Sequence, residues 1–197
     1  VLLFLLKLFL FSSISAVSQT GAAQENLTEK SYSLTAVGDI MIGTNYPSDS
    51  YLPPNDGVGF FDSVSEILNK SDITFGNLEG VIMSENISPR KRCKNPKNCY
   101  VFKMPDNYVN HIKNAGFNLL SIANNHINDF GSKGVLNTTK LLDKSEISYA
   151  GTINNPTTIF NFKGIKVGFC AFSPNYGTVN INNLKNAKKI VSDLNSK

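Results

Sequence analysis

Apolar and polar positions along the chain follow two periods, and the switches between them predict the elements. Ser33 to Val37 (Ser-Leu-Thr-Ala-Val) is a strand-like run that stops at Gly38-Asp39. Phe60, Phe61, Val64, Ile67 and Leu68 then recur at helical spacing and predict one apolar face. Asp72 to Phe75 is short, β-favouring and halted by Gly76. Pro105-Asp106 opens a second helix with Val109, Ile112 and Ala115 on one side and Gly116 as its C-cap. Phe117 to Ala123 is a buried-type strand that runs into Asn124-Asn125-His126. A third helix is predicted from Ser132 to Lys144, followed by strands at 147–150, 158–162 and 165–172. Lys163-Gly164 joins the last two as a tight hairpin. Leu184, Ala187, Ile190, Val191 and Leu194 mark a final amphipathic helix. This succession of strand, loop and helix predicts an α/β fold, and the late hairpin predicts a mixed sheet.

The first residues stand outside that pattern. Val1 to Phe11 is an apolar run broken only by Lys7, and Ser12 to Ser18 turns small and polar. The pair reads as the apolar part of a secretory signal with a cleavage site at Ala16-Val17-Ser18. The run is shorter than the roughly 20 residues a spanning helix needs, and a retained N-terminal anchor is the alternative. The expected organisation is a signal peptide or anchor at 1–18, a linker at 19–32 and a single domain at 33–197. Export, to the periplasm or the outer face of the cytoplasmic membrane, follows from that reading. Cys93 and Cys99 bracket the turn-rich Lys-Asn-Pro-Lys-Asn and are expected to close a small loop disulfide, whereas Cys170 lies in an apolar run and reads as an inert core thiol.

Composition narrows the classes. The chain has 197 residues, 41% hydrophobic and 17% charged, enough apolar side chain for one domain with a core and too much for a disordered chain. The formal charge of +4 is scattered, which argues against nucleic acid as a partner. The single basic cluster, Arg90-Lys91-Arg92 with Lys94 and Lys97, reads as a solvated loop.

Candidate chemistry gathers where strands are predicted to end. Asp39 follows the first strand, Glu79 lies in Gly76-Asn77-Leu78-Glu79-Gly80, and the third loop runs Asn124-Asn125-His126-Ile127-Asn128-Asp129. Two carboxylates, an amide and an imidazole make a set of hard oxygen ligands with one nitrogen, suited to a divalent ion. His126 with Asp129 has the form of a proton donor and its orienting carboxylate. The bland alternative is three unrelated polar turns. Only two histidines occur, and His111, on a helix face, reads as an ordinary surface residue.

At these residues the sequence resembles the CapA family of poly-γ-glutamate capsule biosynthesis proteins. The resemblance lies in Gly38-Asp39-Ile40-Met41, Gly76-Asn77-Leu78-Glu79-Gly80, Gly116-Phe117, Ala123-Asn124-Asn125-His126 and Asp129-Phe130-Gly131, with further similarity at Cys99 to Phe102 and Tyr149-Ala150-Gly151. It implies a calcineurin-like metallophosphatase fold, a layered sandwich of mixed sheets flanked by helices. By that analogy Asp39, Glu79 and Asn125 would be metal ligands, Glu79 in the bridging position, with His126 as proton donor and Asp129 beside it. The ion would be Mn, Mg, Zn or Fe. The superfamily's Asp-x-His start is Asp39-x-Met41 here, and the family's later histidine segments are expected beyond Lys197, so the domain reads as incomplete at its C-terminus. The resemblance also implies a role in synthesis, export or anchoring of a capsule polymer, with the anionic polymer and membrane-embedded capsule-synthesis proteins as partners. It leaves open whether the protein is a metal-dependent hydrolase or a non-catalytic polymer-binding or assembly factor, and the basic Arg90–Lys97 loop adds a third reading, a plain periplasmic binding module for an anionic ligand.

Overall fold

A computed structural model describes residues 31–91 and 99–197. In chain order its elements are β1 (Leu34–Ile40), α1 (Asp62–Lys70), β2 (Ile73–Leu78), β3 (Val81–Ile82), β4 (Lys103–Met104), α2 (Tyr108–Asn114), β5 (Leu119–Ser121), α3 (Gly131–Lys144), β6 (Ser148–Ala150), β7 (Thr157–Phe162), β8 (Ile165–Cys170) and α4 (Leu184–Asn195). The central sheet has the order β1-β2-β5-β6 and is parallel throughout. Two small sheets accompany it, the parallel pair β3-β4 and the antiparallel hairpin β7-β8. The result is a layered α/β fold. The hairpin forms, but in a sheet of its own, so among the described residues parallel and antiparallel ladders occupy separate sheets and the expected mixed sheet is not seen.

Alternation along the strands divides the core between the two faces of the central sheet. Leu78, Leu120 and Ile122 point to one side, where they join Leu68, Val109, Ile112, Phe117 and Leu142 of the helices and their flanks. Ile73, Phe75 and Leu119 point to the other, against Phe160, Val167 and Phe169 of the hairpin. α4 covers part of β8, with Leu194 lying over Gly168. Burying such side chains contributes about 1.5–3 kcal/mol each, which is what holds the layers together.

Two glycines expected to end strands do not. β1 continues through Gly38 and Asp39 by way of an irregularity between Ala36 and Asp39, and β2 continues through Gly76. At Gly76 a Cβ would sit 2.5 Å from Ile40 Cδ1, so this glycine admits a neighbouring side chain instead of turning the chain. Asp39 and Asn77 are therefore paired across the two strands.

The other signals fare differently. Lys163 and Gly164 both have positive φ, 45° and 86°, as a two-residue hairpin turn requires. Gly116 ends α2 with φ of 103°. In α1 the predicted apolar face is wider than the surface it covers: Leu68 is buried, while Phe60, Val64 and Ile67 are 50%, 45% and 63% exposed. Cys170 is a half-buried free thiol, pushed up in pKa by burial and so poorly reactive. The expected signal segment and Cys93, half of the expected disulfide, lie outside the described residues. Among the described residues no helix is long and apolar enough to cross a membrane.

Candidate functional site

The pairing of β1 with β2 brings the first two candidate loops together. Asn77 stands opposite Asp39, and Glu79 lies two residues further on, so its side chain projects from the same face as that of Asn77. The Asn77 Nδ2 donates to both carboxylates, at 2.8 Å to Asp39 Oδ1 and 2.7 Å to Glu79 Oε2. Asn77 Oδ1 accepts from Asn124 Nδ2 at 3.2 Å, which ties this pair to the loop after β5. Asn124 also donates to the Leu78 carbonyl at 2.7 Å, while its Oδ1 accepts the N–H groups of His126 and Ile127. That amide forms the turn that aims His126.

His126 and Asp129 are both buried. His126 Nδ1 lies 2.7 Å from Asp129 Oδ2, which also accepts the Phe102 N–H at 2.9 Å. Lys91 Nζ is 3.3 Å from Asp129 Oδ1 and 3.2 Å from His126 Nδ1. A single ring nitrogen cannot both donate to Asp129 and accept from Lys91. The shorter, charge-assisted contact assigns the Nδ1 proton to the Asp129 bond and leaves Lys91 as an ion pair with Oδ1. His126 Nε2 faces Glu79 Oε1, 3.7 Å away and beyond hydrogen-bond distance. The Phe102 ring stacks on the imidazole with centroids 4.1 Å apart and walls off one side.

Burial is the main influence on Glu79 and pushes its pKa above the usual carboxylate range. The Asn77 hydrogen bond opposes that shift, and the nearby Asp39 charge adds to it. Two carboxylates, one of them on the exposed Asp39, flank one neutral amide and gather negative charge there. Their oxygens suit a hard, oxygen-preferring divalent ion completed by water. Asn125 is exposed beside His126 and has no side-chain hydrogen bond to another described residue. Among the described residues no group of three or more His, Cys, Asp or Glu side chains is placed to hold a metal. The groups that could hold an ion here are the carboxylates of Asp39 and Glu79, which share the Asn77 amide.

Four residues of this arrangement, expected in their segments, have no role of their own in the site on the sequence reading: Asn77, Lys91, Phe102 and Asn124. Lys91 came from the cluster read as a solvated loop, and the structure corrects that reading for this residue. Asn77 was within reach, because its two-residue spacing from Glu79 on a strand puts both on one face. His111, expected at the surface, is half-buried and its Nε2 contacts the Asp56 carbonyl at 2.9 Å.

A parallel sheet with a carboxylate pair and an imidazole–carboxylate couple at the C-terminal ends of its strands places the chain among layered α/β proteins with a polar strand-end site. The profile of the family described as "Bacterial capsule synthesis protein PGA_cap" matches residues 33–196, and the chain belongs to that family. Over 145 residues it is 31% identical to "Capsule biosynthesis protein CapA" of Bacillus anthracis, covering 71% of this chain and 34% of that protein. It is also 30% identical over 135 residues to each of two uncharacterised proteins of Sinorhizobium fredii, y4sH and y4uA, covering 67% of this chain and 27% of each. The chain therefore spans about a third of the length of the capsule relative and less of the other two.

Proposed function

We propose that this chain contributes to the synthesis, export or anchoring of an anionic capsule polymer of the poly-γ-glutamate type, through the strand-end site of Asp39, Glu79, Asn125, His126 and Asp129. The observation that carries the reading is the His126–Asp129 couple, 2.7 Å apart, with Nε2 turned toward Glu79. Asp129 holds the imidazole in one tautomer and orientation, so that His126 can hold or deliver a proton at Nε2. Phe102 and the surrounding apolar residues keep bulk water from one face of the ring. Asp39 and Glu79 would hold a divalent ion, with Asn125 the nearby amide able to join them. Such an ion, when bound, supplies Lewis-acid polarisation and a more acidic water. The same reading places the protein outside the cytoplasmic membrane, with capsule-synthesis proteins of that membrane as partners.

A second reading, a non-catalytic polymer-binding or assembly factor on the same fold, is favoured by Met41. It stands where the wider superfamily has a histidine ligand, and its Sδ is 3.3 Å from the Gly43 nitrogen. Thermal unfolding of the purified full-length protein with and without Mn²⁺ or Mg²⁺ separates the two. Site occupancy raises Tm in wild type, and Asp39→Asn with Glu79→Gln abolishes the rise. An unchanged Tm in wild type at millimolar ion removes the metal-dependent reading.

A further inference from the structure

The turn that carries Asp129 has a second flank. There a cavity of about 370 Å³ is lined by Ile87, Ser88, Arg90, Phe130, Ser132 and Lys133. Arg90 is an exposed residue whose backbone and stem are held by two contacts, leaving the guanidinium end in solvent. Its N–H donates to the Asp129 carbonyl at 2.7 Å, and its stem crosses Gly131, where a Cβ would come within 2.9 Å of Arg90 Cγ. Its guanidinium has no hydrogen-bond or ion-pair partner among the described residues. Lys133 meets Glu85 at 3.3 Å in a contact between two exposed side chains, which water and salt weaken easily. The Ser88 and Ser132 hydroxyls add two further donors, and Ile87 and Phe130 add an apolar wall.

We infer that this cavity is a subsite for an oxyanion, a carboxylate or phosphate borne on an aliphatic stem. A guanidinium presents a planar fork that matches two oxygens of such a group, and the Lys133 ammonium supplies a second charge that can leave Glu85 for the ligand. The stem packs on Ile87 and Phe130. An acidic chain running over this flank has one charged group held at Arg90, whose backbone is bonded to the turn that presents Asp129 to His126. That the oxyanion belongs to a capsule polymer rests on the proposed function; the anion chemistry rests on the cavity alone.

The test is titration of the full chain with oligoglutamate and, separately, with inorganic phosphate, followed by calorimetry and by NMR of the Arg90 side chain. Arg90→Ala should weaken binding by about tenfold or more, the loss of hydrogen bonds to a charged group, with Arg90→Lys intermediate and Tm unchanged. Binding of phosphate but not oligoglutamate, lost in Arg90→Ala, also supports the subsite and assigns it to a phosphate group. Arg90→Ala should keep any rise of Tm with Mn²⁺ or Mg²⁺ seen in wild type, so the subsite and the proposed strand-end site can fail separately. Equal binding by wild type and Arg90→Ala, or binding of neither probe to wild type, overturns the inference.

Discussion

Asp129→Asn probes the couple with almost no change of shape. The carboxylate is 1% exposed; its Oδ2 accepts from His126 and Phe102, and its Oδ1 faces Lys91. An amide can turn its oxygen to only one of these sides. Facing the oxygen toward Lys91 sets an NH₂ against two donors at 2.7 and 2.9 Å, the costlier choice. Facing it toward His126 and Phe102 keeps both bonds but makes them neutral, and it sets the NH₂ against an ammonium. Lys91, 26% exposed, can then swing into water. Each charge-assisted bond that becomes neutral loses about 1 kcal/mol, and the partly exposed ion pair about 1 more, so about 3 kcal/mol is expected in all. The chain has no Trp, so urea unfolding is best followed by far-ultraviolet circular dichroism. With a slope of about 2 kcal/mol/M, the midpoint should fall by about 1.5 M at constant slope. A fall below about 0.5 M would refute the charge-assisted network.

Three other perturbations are informative. Gly151 has φ of 135°, and a Cβ there would lie 2.5 Å from Ala123 Cβ and 2.7 Å from Ala123 N, against the backbone entering the His126 loop. Gly151→Ala should cost about 2 kcal/mol or more and show as a lower Tm; an unchanged Tm contradicts that packing. Leu120 is fully buried in the central sheet, and Leu120→Ala should cost about 2–5 kcal/mol in the same urea assay, a cost under about 1 kcal/mol being inconsistent with the core as described. Asp72 is held at about 2, below its usual 3.8, by Lys163 first and then by Ser33. Because the folded pKa is depressed, its contribution is present above pH 3.8 and lost as pH falls toward about 2. Lys163→Met should move the Asp72 titration upward in an NMR experiment, and an unmoved titration would remove Lys163 as the cause.

The sequence reveals most where a signal is local. The Lys163-Gly164 turn, the Gly116 cap and the strand before Asn124-Asn125-His126 each depend on neighbours a few residues away, and all three form, the strand as Leu119–Ser121 instead of the expected 117–123. Gly38 and Gly76 mislead because glycine serves two physical purposes, turning the chain and clearing space, and Gly76 clears space for Ile40. The β3-β4 pair has no local signature, since two-residue strands from 81 and 103 meet only through the tertiary fold. At the site, Asp39, Glu79, His126 and Asp129 announce themselves as polar groups at strand ends. Lys91 does not: its partners stand 35 and 38 positions away, and a Lys among basic neighbours looks like solvated surface. Phe102 likewise gains its place against His126 only because β4 lies beside β3.

The central claim is that His126, oriented by Asp129 beside the Asp39–Glu79 carboxylates, serves capsule polymer formation. The most direct measurement is surface polymer produced by cells whose own copy of the full-length protein carries His126→Asn, at matched protein level and Tm. Loss of polymer to the level of a deletion strain is the result predicted. Polymer at the wild-type amount would contradict the claim.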